Sequence, residues 1–193
     1  MTDFEDEEQT SLRAVVECPC GGRCLMAGFP GLRTGIDGTA YMDPDHLAAT
    51  LDRIFETGAR LLILLAEEKE LPEKAFAMVA DRAATIGLEL AFMPIPDFNV
   101  PDDDMIRRWH DLLVTRSDLP TRGGTVAFAC QYGAGRSGLM AAYVLLQCGM
   151  ELEGAVNTVR NYFAEAIESD VQMAWLTEVS ARLKVNPTPL DVD

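Results

Sequence analysis

The sequence predicts an α/β fold, a single domain built on a mainly parallel sheet flanked by helices. Three observations carry that prediction. Short apolar runs alternate with longer stretches whose apolar residues recur at helical spacing, the order expected when helices cover a sheet. Residues 61–66 are apolar without interruption, as suits a strand covered on both faces. Residues 125–129 form another buried run, which passes through a glycine-rich turn straight into an apolar helix. At 193 residues the chain has room for one sizeable core and little for two.

In chain order, residues 1–10 are acidic and poor in large apolar side chains apart from Phe4, which predicts a disordered tail. Residues 11–185 are expected to form the domain, and residues 186–193, with two prolines, a C-terminal tail. Residues 13–18 and 24–29 read as strands joined by the Cys20-Gly21-Gly22 turn. Asp43 caps a helix that has Pro44 in its first turn, aligns Leu47, Leu51, Ile54 and Phe55, and stops near Gly58. After the 61–66 strand, residues 73–86 follow helical spacing to Gly87, and 88–95 form the next strand. A loop over 96–101 precedes a helix over 102–115 that turns Met105, Ile106, Trp109, Leu112 and Leu113 inward. The helix from about 136 to 148 follows the glycine-rich turn, and helices over 153–163 and 170–183 are expected to pack on one side.

The formal charge of −15 argues against nucleic acid, whose backbone is bound by Lys and Arg clusters. No polybasic segment suits an anionic membrane, and no apolar run is long enough to cross one. The N-terminus lacks the pattern of a secretion signal, so a cytoplasmic monomer is expected, with its five cysteines reduced. Cys18, Cys20 and Cys24 are three thiols without a neighbouring histidine, a poor match to structural zinc, so neither metal nor cofactor is expected. His46 and His110 are expected at the surface, and Trp109 and Trp175 in the core.

The most informative segment is 126–138. Its strand delivers Cys130 to the carboxyl edge of the sheet, where ligands bind in such folds. Gly133 and Gly135 permit a tight turn whose backbone N–H groups face inward, and the helix beginning near Arg136 aims its positive end at the same place. The expected result is an anion site lined by Gln131, Tyr132, Gly133, Ala134, Gly135 and Arg136, the last gripping two oxygens through its planar fork. Cys130 at its centre is expected as a thiolate that attacks phosphorus, with Ser137 donating to the sulfur.

The Cys-x-x-Gly-x-Gly-Arg-Ser-Gly stretch resembles the signature loop of the protein tyrosine and dual-specificity phosphatases. The segments Gly-Phe-Pro-Gly at 28–31, Pro-Ile-Pro-Asp at 94–97 and Ile-Glu-Ser-x-x-Gln at 167–172 are similar to stretches at corresponding stations. Together they span roughly residues 20–180 and look closest to the cyclin-dependent-kinase-associated phosphatase branch. The resemblance implies a metal-free phosphatase working through a phospho-cysteine. Asp97 matches the family's acid, and Gln172 the glutamine that orients water in the second step. The family's usual histidine before the cysteine is Ala129 here.

The implied substrates are phosphotyrosine, with phosphoserine and phosphothreonine, in proteins. Three alternatives stand beside that reading: a phosphate-binding descendant without turnover, a phosphatase of a small phosphorylated metabolite, and a sulfurtransferase. For Cys130 the plainer alternative is a buried structural cysteine, and for Asp97 a turn or capping residue.

Overall fold

The computed structural model describes residues 9–185. The two expected tails lie outside the described residues, except for positions 9 and 10, and Thr10 is already buried. Five strands form one sheet in the order β1-β2-β7-β5-β6: β1 (Leu12–Glu17), β2 (Arg23–Gly28), β5 (Leu61–Leu64), β6 (Glu89–Phe92) and β7 (Thr125–Cys130). Only the edge strand β1 runs antiparallel; the other neighbours pair in parallel. A two-stranded ribbon, β3 (Leu32–Thr34) with β4 (Ala40–Met42), stands apart from that sheet.

Six helices, among the described residues, cover the sheet: α1 (Pro44–Glu56), α2 (Ala75–Ile86), α3 (Asp103–Thr115), α4 (Gly135–Gln147), α5 (Leu152–Tyr162) and α6 (Asp170–Val185). The strand period of two sorts the core between them. Val126, Phe128 and Cys130 of β7 pack with Trp109 of α3, Leu139 of α4, Val159 of α5 and Leu176 of α6. Ala127 and Ala129 face the other way, among Leu51 and Ile54 of α1 and Val79 of α2. The helices thus divide over both faces, and the late ones share one, as expected.

Local chemistry explains the boundaries. The Asp43 carboxylate accepts the amide protons of Asp45 and His46 at 3.0 and 3.1 Å, and Pro44 fills a first-turn position needing no donor. Helix α2 ends where Gly87 takes a φ of 72°. The strand expected over 88–95 is shorter because Pro94 and Pro96 have no N–H. Met93 and Ile95 still donate to the carbonyls of Leu64 and Leu65, but the continuous ladder stops. Every residue of α4 is buried, so the helix carrying Arg136 is a core element from end to end.

Several side-chain expectations need correction. His46 is buried, and His110 is half-buried with its Nε2 2.9 Å from the Tyr143 hydroxyl. Trp109 is fully buried, as expected, and donates to Gln147 Oε1 at 2.9 Å, whereas Trp175 is only partly buried, against Tyr143. The five cysteines are not all reduced: Cys20 and Cys148 form a disulfide, with Cα atoms 5.6 Å apart across 128 positions of sequence. The turn after β1 meets the end of α4, a meeting that only the folded topology creates. Cys18 and Cys24 remain thiols with sulfurs 3.7 Å apart. Among the described residues no group of three or more His, Cys, Asp or Glu is placed to hold a metal ion, and no helix is long and apolar enough to cross a membrane.

Candidate active site

Strand β7 ends at Cys130, beside Gly28 at the end of β2. The chain then turns back so that the Gly133 N–H donates to the Cys130 sulfur at 3.1 Å. Gly133 has a φ of 100°, and a Cβ there would lie 2.5 Å from the Gly28 nitrogen, so conformation and space both demand glycine. Gly135 has no positive φ, and a Cβ there would meet only the end of the flexible Glu168 side chain, so this glycine is less constrained than Gly133. Ala134 is buried directly before α4, whose first turn completes the loop. Gln131 reaches outward to the Glu70 carbonyl at 3.4 Å, while Tyr132 is half exposed at the rim, against Arg13 and Phe163.

Ser137 differs from the sequence reading. Its one hydroxyl proton goes to the Ala27 carbonyl at 3.2 Å, and its oxygen accepts the Cys130 N–H at 3.1 Å. In this structure it ties the cysteine backbone to β2, and the hydrogen bond at the sulfur comes from Gly133 instead.

Arg136 is 2% exposed and held from outside the loop. Nη1 and Nη2 each donate to one oxygen of Glu70 at 2.7 Å; Nη1 also reaches the Ile95 carbonyl at 3.0 Å, and Nη2 lies 3.1 Å from Asp97 Oδ1. Its Nε is buried without a partner. Burial opposes the guanidinium charge, but the Glu70 hydrogen bonds and the charges of Cys130 and Asp97 outweigh it and push its pKa up. Glu70 also accepts the Glu67 N–H at 2.9 Å. Burial again works against the charge, yet Arg136 and the Glu67 amide hold the Glu70 carboxyl below the usual range.

Asp97 stands past the carboxyl end of β6, as expected, but β5 lies between β6 and β7, so its strand is not the neighbour of the Cys130 strand. The segment through Ile95 bends back over the sheet edge and brings the carboxylate to Arg136. Gln172, expected to orient water, is fully buried: its Oε1 accepts the Glu168 N–H at 3.0 Å and its Nε2 donates to the Asn99 carbonyl at 3.2 Å. It joins the Asp97 loop to the segment that lies over Gly135.

Two acidic residues escaped the sequence reading. Glu70 sits in a run of glutamates that looks like a solvated surface, and the available signal was its place just past the end of β5, next to β7. Glu168 lies over Gly135, on a turn where Ile167 adopts a φ of 59°. Burial and the Asp97 charge push its carboxyl up, against the pull of Arg136.

A thiol at the floor of an amide-lined turn, between a central parallel strand and a buried helix that carries an arginine, is the architecture of the protein tyrosine and dual-specificity phosphatases. The chain belongs to that superfamily: residues 39–183 match the family described as "Swiss Army Knife protein, DSP-PTPase phosphatase domain". Over 100 residues it is 29% identical to the protein tyrosine phosphatases type IVA 2 of Mus musculus and Rattus norvegicus; the match covers 51% of this chain and 58% of theirs. In fold it is similar to a kinase-associated phosphatase crystallised with its catalytic-site cysteine changed to serine: TM-score 0.70, 20% identity, over 90% of this chain and 96% of that one. The active form of Tk-PTP superposes with a TM-score of 0.58 at 25% identity, over 89% and 97% of the two chains. PTPMT1 in complex with PI(5)P superposes with a TM-score of 0.60 at 16% identity, over 86% and 94%.

Proposed function

We propose that the protein hydrolyses phosphate monoesters through a phospho-cysteine at Cys130, without a metal. The observation that carries this reading is the Gly133 N–H aimed at the Cys130 sulfur on the floor of a turn that ends in the clamped Arg136. A dianion seated there would meet the amides of 131–135, the positive end of α4 and the Nε edge of Arg136.

In the first step the thiolate attacks phosphorus in line. The S–P bond forms as the P–O ester bond breaks, and the departing oxygen takes the proton of Asp97. In the second step water attacks phosphorus, Asp97 recovers a proton from it, and the P–S bond breaks to release inorganic phosphate and the thiolate. Glu70 holds the guanidinium during both steps, and Gln172 holds the Asp97 loop through Asn99. Ser137 steadies the nucleophile by way of its backbone. Ala129 is sealed in the opposite core, so this chain keeps the loop in shape with the Ser137 and Gly133 contacts and without a histidine at that place. The substrates this reading assigns are phosphorylated molecules presented to the loop from the Tyr132 rim, phosphotyrosine among them.

The test is hydrolysis of an aryl phosphate in the presence of EDTA by the wild type, Cys130→Ser and Asp97→Ala. The reading requires turnover that the first change abolishes and the second slows by about 10²-fold or more. Absence of turnover at every pH tried, with phosphate still bound, would leave a phosphate-recognition domain instead.

A further inference from the structure

Beside the loop lies a second concavity of about 480 Å³, in the size range of small-molecule sites. Gln131 and Tyr132 form one wall, β1 and the β3–β4 ribbon form others, and His46 lines it from α1. Among the described residues that line it, the charged side chains are Arg13 and Arg33 and none is a carboxylate, in a chain whose formal charge is −15. Arg13 is fixed to the loop itself: its Nε donates to the Tyr132 carbonyl at 3.1 Å and its guanidinium stacks on the Tyr132 ring.

His46 supplies the second observation. It is 8% exposed, and its Nδ1 is buried with no hydrogen-bond partner, an expensive state for a polar atom unless a ligand completes it. The ring stands in the first turn of α1, whose dipole favours a negative ligand. Burial, Arg33 and Arg13 push the pKa of the ring down, against the pull of the Asp43 carboxylate at the helix cap and of the Thr10 backbone.

We infer that this cavity is an anion subsite that holds a second phosphate of the substrate, so that the protein acts on a small molecule carrying two phosphate monoesters. One phosphate is seated over Cys130, and the other meets His46, Arg13 and Arg33. The inference rests on the phosphatase reading, and its test separates the two.

The chain has only two histidines, so their ring signals in an NMR titration are readily assigned. Inorganic phosphate added to the wild type is expected to move the His46 signals saturably and raise the pH at which that ring titrates, leaving His110 unmoved. In Arg33→Met the His46 response should weaken about tenfold, while phosphate still competes with an aryl monophosphate at the loop. In turnover assays with aryl bisphosphates of increasing spacer length, at least one should show a KM about tenfold below that of the monophosphate. Arg33→Met should remove that advantage with kcat retained. A His46 ring indifferent to phosphate, a bisphosphate advantage that survives Arg33→Met, or a preference confined to doubly phosphorylated peptides would each overturn the inference. A responsive His46 in a protein without turnover would keep the anion site and sink the phosphatase reading.

Discussion

Replacing Glu70 by alanine strips Arg136 of its two shortest hydrogen bonds while leaving the guanidinium buried. Each lost bond, at 2.7 Å, is charge-assisted, a type worth about 1.5–3 kcal/mol. Removing one member of a buried pair costs about 3–5 kcal/mol. The Ile95 carbonyl and Asp97 stay within 3.1 Å, so the cost should fall near the lower end, about 3 kcal/mol. For a chain of this size that is a fall in Tm of about 6–12 °C. Urea unfolding should show a lower midpoint with an unchanged slope.

The same substitution has a pH signature. The Glu70 carboxyl in the fold lies below its unfolded value, so its contribution is fully present above the ordinary carboxylate range and fades as pH falls through the lower folded value. The stability gap between wild type and Glu70→Ala should therefore be flat through neutral pH and close only in acid. Loss of the clamp should also raise KM for an aryl phosphate. A cost below about 1 kcal/mol, or a gap that widens on acidification, would refute the clamp.

Other predictions follow from single contacts. Gly133→Ala places a Cβ against the backbone of β2 at a φ of 100°, so kcat/KM should drop by about 10²-fold while circular dichroism stays near that of the wild type. Gln172→Leu abandons the Glu168 N–H and the Asn99 carbonyl, at about 1–3 kcal/mol for each group left buried, and should lower kcat by loosening the Asp97 loop; urea titration and kinetics check the two effects. Denatured but unreduced protein should yield three titratable thiols, and Cys148→Ser should cost about 2–4 kcal/mol in thermal unfolding; five thiols and an unchanged Tm would deny the Cys20–Cys148 bridge.

What was legible in the sequence was what depends on short spans. The apolar run at 61–66, the Asp43-Pro44 cap and the glycine pattern around Cys130 each fix their own neighbourhood, and the sheet with helices on both faces assembles from such pieces. What stayed hidden depends on chain returning from far away. Glu70 is 66 positions from Arg136, Gln172 is 73 from Asn99, and Cys148 is 128 from Cys20. The β3–β4 ribbon has three-residue strands with mixed exposure, too short to show alternation. His46 reads as a surface position because its cover comes from other elements, among them the edge of β1. The Ser137 hydroxyl proton is drawn to the Ala27 carbonyl and not to the sulfur, because strand pairing puts that carbonyl within reach.

The central claim is that Cys130 carries the phosphoryl group. Mixing the wild type with excess aryl phosphate, quenching in acid within the first turnovers and mapping peptides by mass spectrometry tests it directly. The account predicts a phosphate adduct on the Cys130 peptide that is absent from Cys130→Ser. Steady turnover with no adduct at Cys130, or turnover that persists in Cys130→Ser, would contradict it.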